Sequence, residues 1–234
     1  MPTKMSPRMS AVAAVVLSGL LTGCQTGDPA IKRSERAAGV LTGTRETIRD
    51  AEQTVADSQT SLRALQDATG DLRPAFEHFV VELAAVRRQS ERLRRDGDLV
   101  KNESAAYCGA RQNDVSTISN DEMRNLAEQR TAKVREECED IKDRYGRANL
   151  AFDRYVRSLV DLQTYLANEL NYGSVRAGEK WFAESIAAGE RLRGDVRALA
   201  LKIELTSNML SPVPVSITQW PKPLDQTDAV ASRK

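Results

Sequence analysis

The chain has 234 residues, with 34 Lys and Arg against 33 Asp and Glu and a formal net charge of +1. This near balance gives no bulk positive field for nucleic acid, so we predict no nucleic-acid partner. Charged residues make up 29% of the chain and aromatic residues 5%, a composition typical of long helices and coiled coils and not of a β-rich fold.

Residues 1–23 have the pattern of an export leader. Lys4 and Arg8 precede an apolar stretch, Ala11 to Leu21, which is far shorter than the roughly twenty residues that span a membrane. The next residues, Leu21-Thr22-Gly23-Cys24, resemble the lipobox of bacterial lipoproteins. We therefore predict a lipoprotein signal peptide over residues 1–23 and lipidation of Cys24. The alternative is an ordinary secretory leader followed by an incidental cysteine.

The residue after Cys24 bears on location. In the lipoproteins that this segment resembles, it influences sorting, and Gln25 in place of an aspartate favours the periplasmic side of the outer membrane. Because two or more acyl chains hold a protein stably on a bilayer, the membrane is the first predicted partner. Residues 24–33 are predicted to form a short linker.

Apolar and small residues then repeat every seven positions on paired tracks, which indicates the seam between packed helices. The first pair of tracks contains Leu41, Ile48, Val55, Leu62, Phe76 and Leu83, joined by Ala51, Leu65, Leu72, Phe79, Val86, Leu93, Val100 and Tyr107. The second contains Thr131, Cys138, Tyr145, Phe152, Leu159 and Leu166, joined by Ala127, Val134, Ile141, Ala148, Tyr155 and Leu162. A shorter third pair contains Val175, Phe182, Gly189, Val196 and Ile203, joined by Leu192 and Leu199. We predict an all-α fold, an elongated antiparallel bundle of about four long helices over residues 34–205.

Helix-breaking residues divide this region. The segment from Gly70 to Pro74 predicts a hairpin between two helices, with one kinked helix as the alternative because the heptad register continues through it. Ser119 and Glu122 form a capping box that predicts the start of a long helix. Tyr172-Gly173-Ser174 predicts the cap of the last helix, and Asp96-Gly97-Asp98 predicts a bend or a short interruption inside the second helix. Residues 206–234 are rich in proline and are predicted to form a flexible tail.

Cys108 and Cys138 are the cysteines left after lipidation, and a disulfide between them is one hypothesis for an oxidising compartment. A turn near residue 119 would offset them by about 10 Å along antiparallel helices, and a disulfide needs Cα atoms within roughly 7 Å. The alternative places Cys138 on the seam as an apolar residue and leaves Cys108 as a free thiol. No cysteine has a second ligand at metal-binding spacing, so we predict no metal.

Five arginines occupy nine consecutive positions, namely Arg87, Arg88, Arg92, Arg94 and Arg95. Guanidinium groups bind phosphates and carboxylates bidentately, so this cluster is a candidate anion-binding patch for lipid headgroups or cell-wall carboxylates. The alternative is a solvated helix face. His78 falls on the solvent side of the predicted register, and no catalytic residue or cofactor is predicted.

Four segments carry a family resemblance: Tyr107, Ile118 to Arg124, Tyr145, and Leu162 to Asn171. With the lipobox, they resemble an uncharacterised bacterial coiled-coil lipoprotein family, a domain of unknown function, over about residues 40–200. The resemblance implies a helical fold and an envelope location and brings no activity. Cys108, where the family pattern calls for an apolar residue, and the proline-rich tail are departures from it.

These observations predict a non-enzymatic protein, anchored to the membrane through Cys24, that acts as a helical scaffold or binding module in the cell envelope. An envelope protein or the cell wall is its predicted partner. The alternative is an enzyme or an enzyme regulator with a site between helices. The sequence leaves the oligomeric state open, because Thr44, Ala51 and Ser58 on the first helix suit contact with the bundle or with a second copy.

Overall fold

The computed structural model describes residues 29–211. Helices account for 92% of these residues, and no strand occurs among them, so the all-α prediction is confirmed. The helices are α1 (Pro29–Gln66), α2 (Arg73–Ser116), α3 (Asp121–Asn168), the short α4 (Tyr172–Ala177) and α5 (Glu179–Leu210).

The four long helices form an antiparallel bundle in which α1 and α3 each pack against both α2 and α5. The 48 residues of α3 give the bundle a length of about 72 Å at the helical rise of 1.5 Å per residue. One end, called here the N-terminal end, contains the first turn of α1 and the last turn of α5, where the Ser34 hydroxyl donates to the Leu210 carbonyl. The distal end contains the α1–α2 turn and α4.

The predicted seams form the core. Almost every seam residue is buried, and Ile48, Phe79, Phe152, Phe182 and others have no exposed surface. Thr44, Ala51 and Ser58 are buried inside the bundle as well. Thr69 lies on the seven-residue track between Leu62 and Phe76, but it is exposed in the link between α1 and α2 and does not belong to the core.

The first turn is a hairpin and not a kinked helix. Gly70 has a φ of +90°, which glycine adopts without the steric cost of a Cβ. The Asp71 carboxylate accepts the backbone N–H of Arg73 at 3.0 Å, and Pro74 lies in the first turn of α2, where its missing N–H is not needed. The Tyr172 hydroxyl donates to the Gly70 carbonyl at 2.5 Å, so α4 closes over this turn.

The predicted interruption at Asp96-Gly97-Asp98 is absent, because α2 runs through this segment as one continuous helix. Gly97 faces the ring of Tyr145, and a Cβ built on it would lie 3.0 Å from the Tyr145 Cδ1 atom. The glycine therefore allows α2 and α3 to approach closely, and it does not break the helix.

Three predicted boundaries also shift. The N-cap of α3 is Asn120 and not Ser119, because the Asn120 side chain accepts the N–H of Met123 at 2.9 Å. A short helix, α4, capped by Asn171, comes before the last long helix. The bundle extends beyond the predicted 34–205 at both ends, from Pro29 to Leu210, because Ala38 and Ser207 near these ends pack together with a 3.2 Å hydrogen bond.

Several buried polar side chains have hydrogen-bond partners inside the bundle. The Ser58 hydroxyl lies 2.8 Å from the Tyr155 hydroxyl, and burial raises the pKa of Tyr155 to about 12. The fully buried Gln59 donates its Nε2 group to the Ile186 carbonyl at 2.7 Å. Gly189 makes room for Gln59, since a Cβ there would lie 2.8 Å from Nε2.

The contact between Gly189 and Gln59 predicts opposite effects for the same substitution at two sites in α5. Gly194→Ala has nothing within 4 Å of the added Cβ, so it should raise the free energy of unfolding by up to about 1 kcal/mol through helix propensity. Gly189→Ala crowds a buried side chain and should lower that free energy by about 1 kcal/mol or more. Urea denaturation followed by circular dichroism measures both, and an equal stabilisation by the two variants would refute the close packing of α1 on α5.

Candidate functional site

The predicted lipidation site, Cys24, lies outside the described residues, as do the signal peptide over 1–23 and the tail from residue 212 onward. The predicted linker over 24–33 is partly wrong, because residues 29–33 belong to α1. Pro29, the first residue of α1, follows Cys24 by five positions. No helix within residues 29–211 combines the length and the apolar character required to cross a membrane.

The five predicted arginines are all exposed on the outward side of α2, near the middle of the bundle. Two of them reach acids on neighbouring helices: Arg94 lies 2.7 Å from Asp153 on α3, and Arg92 lies 3.7 Å from Asp50 on α1. The other three, Arg87, Arg88 and Arg95, have no ion pair with a described residue.

Part of this cluster lines a groove between α2 and α3 of about 570 Å³. Arg87 and Arg94 line it from α2, and Arg157 adds a third guanidinium from α3. Glu91 and Asp153 also line the groove and offset part of the positive charge. Guanidinium groups can bind a phosphate or carboxylate from solution, and Arg157 is a lining residue that the sequence pattern did not identify.

The structure brings Cys108 and Cys138 together as free thiols, each close enough to shift the pKa of the other. The expected offset between the two cysteines along the helices is absent, because the first turns of α3 extend past the end of α2. Arg111 on α2 is level with Thr131 on α3, to which its Nε donates at 3.0 Å, so the first two turns of α3 extend past Ser116. The link between α2 and α3 spans this distance, so the two cysteines lie at the same level on two continuous helices.

The two thiols have different environments. Cys138 is buried on the seam, and the Cys108 hydrogen bond and burial raise its pKa. Cys108 is half-buried, and the hydrogen bond from Cys138 lowers its pKa to about 7, with a smaller contribution from the charge of Arg135. Cys108 is therefore the thiol that ionises first and the one that solvent reagents reach. The disulfide stays a prediction.

His78 is exposed, as its register predicted, and its Nε2 atom lies 3.9 Å from the Glu82 carboxylate. Within residues 29–211, no group of three or more His, Cys, Asp or Glu side chains is arranged to hold a metal ion.

The sequence pattern did not identify a cavity of about 370 Å³ between α3 and α5, near the distal end. We call it the distal cavity; its lining residues are Ser158, Asp161, Leu162, Tyr165, Trp181, Glu184 and Ser185. Tyr165 and Trp181 meet edge to face with ring centroids 5.1 Å apart. Tyr165 and Trp181 lie off the predicted seam in a chain with few aromatic residues. Their position was the feature of the sequence that could have pointed to the cavity.

The chain was compared with family models, with curated proteins and with solved structures, and none of them matches it. The resemblance to coiled-coil lipoproteins therefore stays a prediction.

The cysteine pair predicts a pH-dependent reaction with iodoacetamide in a full chain that carries Cys24→Ala, in which only Cys108 and Cys138 remain. Alkylation of Cys108 should reach half its maximal rate near pH 7, because the thiolate is the reactive form. Cys138→Val removes the hydrogen bond, so the midpoint should rise toward the ordinary value of 9.0. Cys138→Ser keeps a donor and should retain a lowered midpoint. Identical pH profiles for the Val and Ser variants, measured by peptide mass spectrometry, would contradict the pairing.

Proposed function

We propose that this protein is a non-enzymatic, lipid-anchored helical scaffold or binding module of the bacterial cell envelope, held on the periplasmic side of the outer membrane. The observation that carries the proposal is the short distance between the lipobox and the bundle. Five positions separate Cys24 from the first residue of α1. A lipid on Cys24 would hold the N-terminal end of the bundle within a few residues of the bilayer.

The shape of the bundle supports a spacing role. Its long helices reach about 72 Å along one axis, and nearly all of the buried apolar residues belong to one continuous core. A rod of this kind, attached at one end, presents binding groups at a fixed distance from its membrane. The arginine cluster on α2 is the proposed anion-binding part, and cell-wall carboxylates or lipid headgroups are its ligands.

The cysteine pair fits an oxidising compartment. We include in the proposal a disulfide between Cys108 and Cys138, formed by exchange with a disulfide-donating oxidoreductase that is itself reduced to the dithiol. Such a bond would tie α2 to α3 near the N-terminal end. Closing a loop of about thirty residues stabilises a fold by roughly 3–4 kcal/mol in the chain-entropy treatment.

The anchor is tested by expressing the full chain and its Cys24→Ala variant in a Gram-negative host fed a labelled fatty acid. The parent chain should take up the label and fractionate with the outer membrane, since multiple acyl chains anchor stably. The variant should lose the label and leave the membrane fraction. Cys108→Ala is the matched control and should behave as the parent chain. An unlabelled parent, or an unchanged distribution of the variant, would refute the anchor.

The arginine cluster is tested in a second arm of this experiment, with the purified Cys24→Ala chain. Sedimentation with phosphatidylglycerol vesicles and with isolated cell-wall sacculi reports binding without the lipid. Arg88→Gln combined with Arg95→Gln should weaken the binding and its salt dependence, because exposed charges are screened by salt. A control of equal charge, Arg147→Gln with Arg191→Gln, should bind as the parent does. Equal losses in the two pairs would show an effect of net charge alone.

A further inference from the structure

We propose that the distal cavity binds an organic ammonium group, such as that of a lysine side chain, against the faces of Tyr165 and Trp181 and beside Asp161. This site goes beyond the proposed function and does not depend on the lipid anchor. Its volume of about 370 Å³ lies within the range of roughly 300–1,000 Å³ found for small-molecule pockets.

The walls of the distal cavity come from two facing helix surfaces. Ser158, Asp161 and Tyr165 follow one another at spacings of three and four on α3, so they share one face of that helix. On α5, Glu184 and Ser185 follow Trp181 by three and four positions, so these three residues also share one helix face. The antiparallel packing of α3 and α5 places these two sets at the same level along the bundle. The same register appears further along this interface, where Lys202 on α5 lies 2.9 Å from the Asp140 carboxylate on α3.

The aromatic wall is held in place before any ligand arrives. The Tyr165 hydroxyl donates to the Ser174 carbonyl at 3.1 Å, which ties its ring to α4. Trp181 packs against that ring at an interplanar angle of 70° and keeps 48% of its surface exposed. A half-exposed indole next to a fixed phenol ring is the kind of aromatic wall against which ammonium groups bind, through the negative face of a ring.

The charge of the cavity matches a cation. Asp161 is exposed at the cavity and has no ion pair with a described residue. Glu184 has a partner, Lys180, at 3.7 Å, and both side chains are more than half exposed, a geometry in which the ion pair contributes little. No Lys or Arg is among the residues that line the cavity.

Ser185 also lines the cavity, although the residue as a whole is only 2% exposed. Its hydroxyl can accept a hydrogen bond from a ligand N–H group, which an apolar ligand would not offer.

The test is a ligand-observed NMR titration of the full chain in a neutral detergent. The probes are N-acetyl-lysine methylamide, its uncharged counterpart N-acetyl-norleucine methylamide, and butylamine. The lysine probe should bind at least about threefold more tightly than the norleucine probe, since cation–π and carboxylate contacts need the charge. Binding of butylamine as well would identify free amines as a source of the ligand, and binding of the lysine probe alone would identify a polypeptide.

Three variants assign the binding to the cavity. Trp181→Leu and Asp161→Asn should each weaken binding of the lysine probe by about threefold or more, and both change exposed side chains, so the circular dichroism spectrum should not change. Glu128→Gln removes an exposed acid near the N-terminal end of α3 and should bind as the parent chain does. Equal affinity for the lysine and norleucine probes, or equal losses in Asp161→Asn and Glu128→Gln, would overturn the proposal.

Discussion

Burial of narrow apolar seams along the whole length of four helices is the constraint on which the rest of the structure depends. Each long helix has one apolar stripe that must be covered from end to end, and only antiparallel neighbours joined by short links can do this. The direction of each helix is therefore set by its neighbours. As a consequence, the first turn of α1 and the last turn of α5 meet at one end, and the α1–α2 turn and α4 meet at the other.

Polar groups inside the core fix the register of this packing. A seam of aliphatic residues alone tolerates sliding of one helix along another, whereas a buried hydrogen bond is lost when the helices slide. Ser58 with Tyr155 and Gln59 with the Ile186 carbonyl hold α1 against α3 and α5. On the outer edge of the same contact, Glu52 accepts a 2.6 Å hydrogen bond from Arg197. Gly189 belongs to this set because any side chain there would displace Gln59.

The sequence was sufficient to predict the fold because seven-residue periodicity is a local property. Nearly every residue on the predicted tracks is buried, from Leu41 on α1 to Ile203 on α5. It was not sufficient at Gly97, where a glycine that permits close packing has the same local pattern as a glycine that breaks a helix. The sequence also failed to predict that Cys108 and Cys138 lie at the same level along the bundle. Their alignment depends on the path of the four-residue link between α2 and α3, and a heptad pattern does not describe a link.

The candidate sites also differ in how much of each could be predicted from the sequence. The five arginines on α2 are adjacent in sequence and were visible as a cluster, but Arg157 and the distal cavity depend on two helices meeting at one level. The rod thus has a basic groove near its middle and an aromatic, acidic cavity toward the distal end. Their charges are opposite, so they suit different ligands at different positions along the rod.

The central claim, that the bundle is attached at its N-terminal end and extends its distal end away from the bilayer, is tested most directly by energy transfer from the protein to the membrane. The lipidated full chain is reconstituted in vesicles that contain an acceptor lipid, with a donor fluorophore at Glu122 in the first turn of α3 or at Lys180 in the first turn of α5. The account predicts strong transfer from position 122 and weak transfer from position 180, as the two lie near opposite ends of a rod of about 72 Å. Equal transfer from the two positions would contradict it.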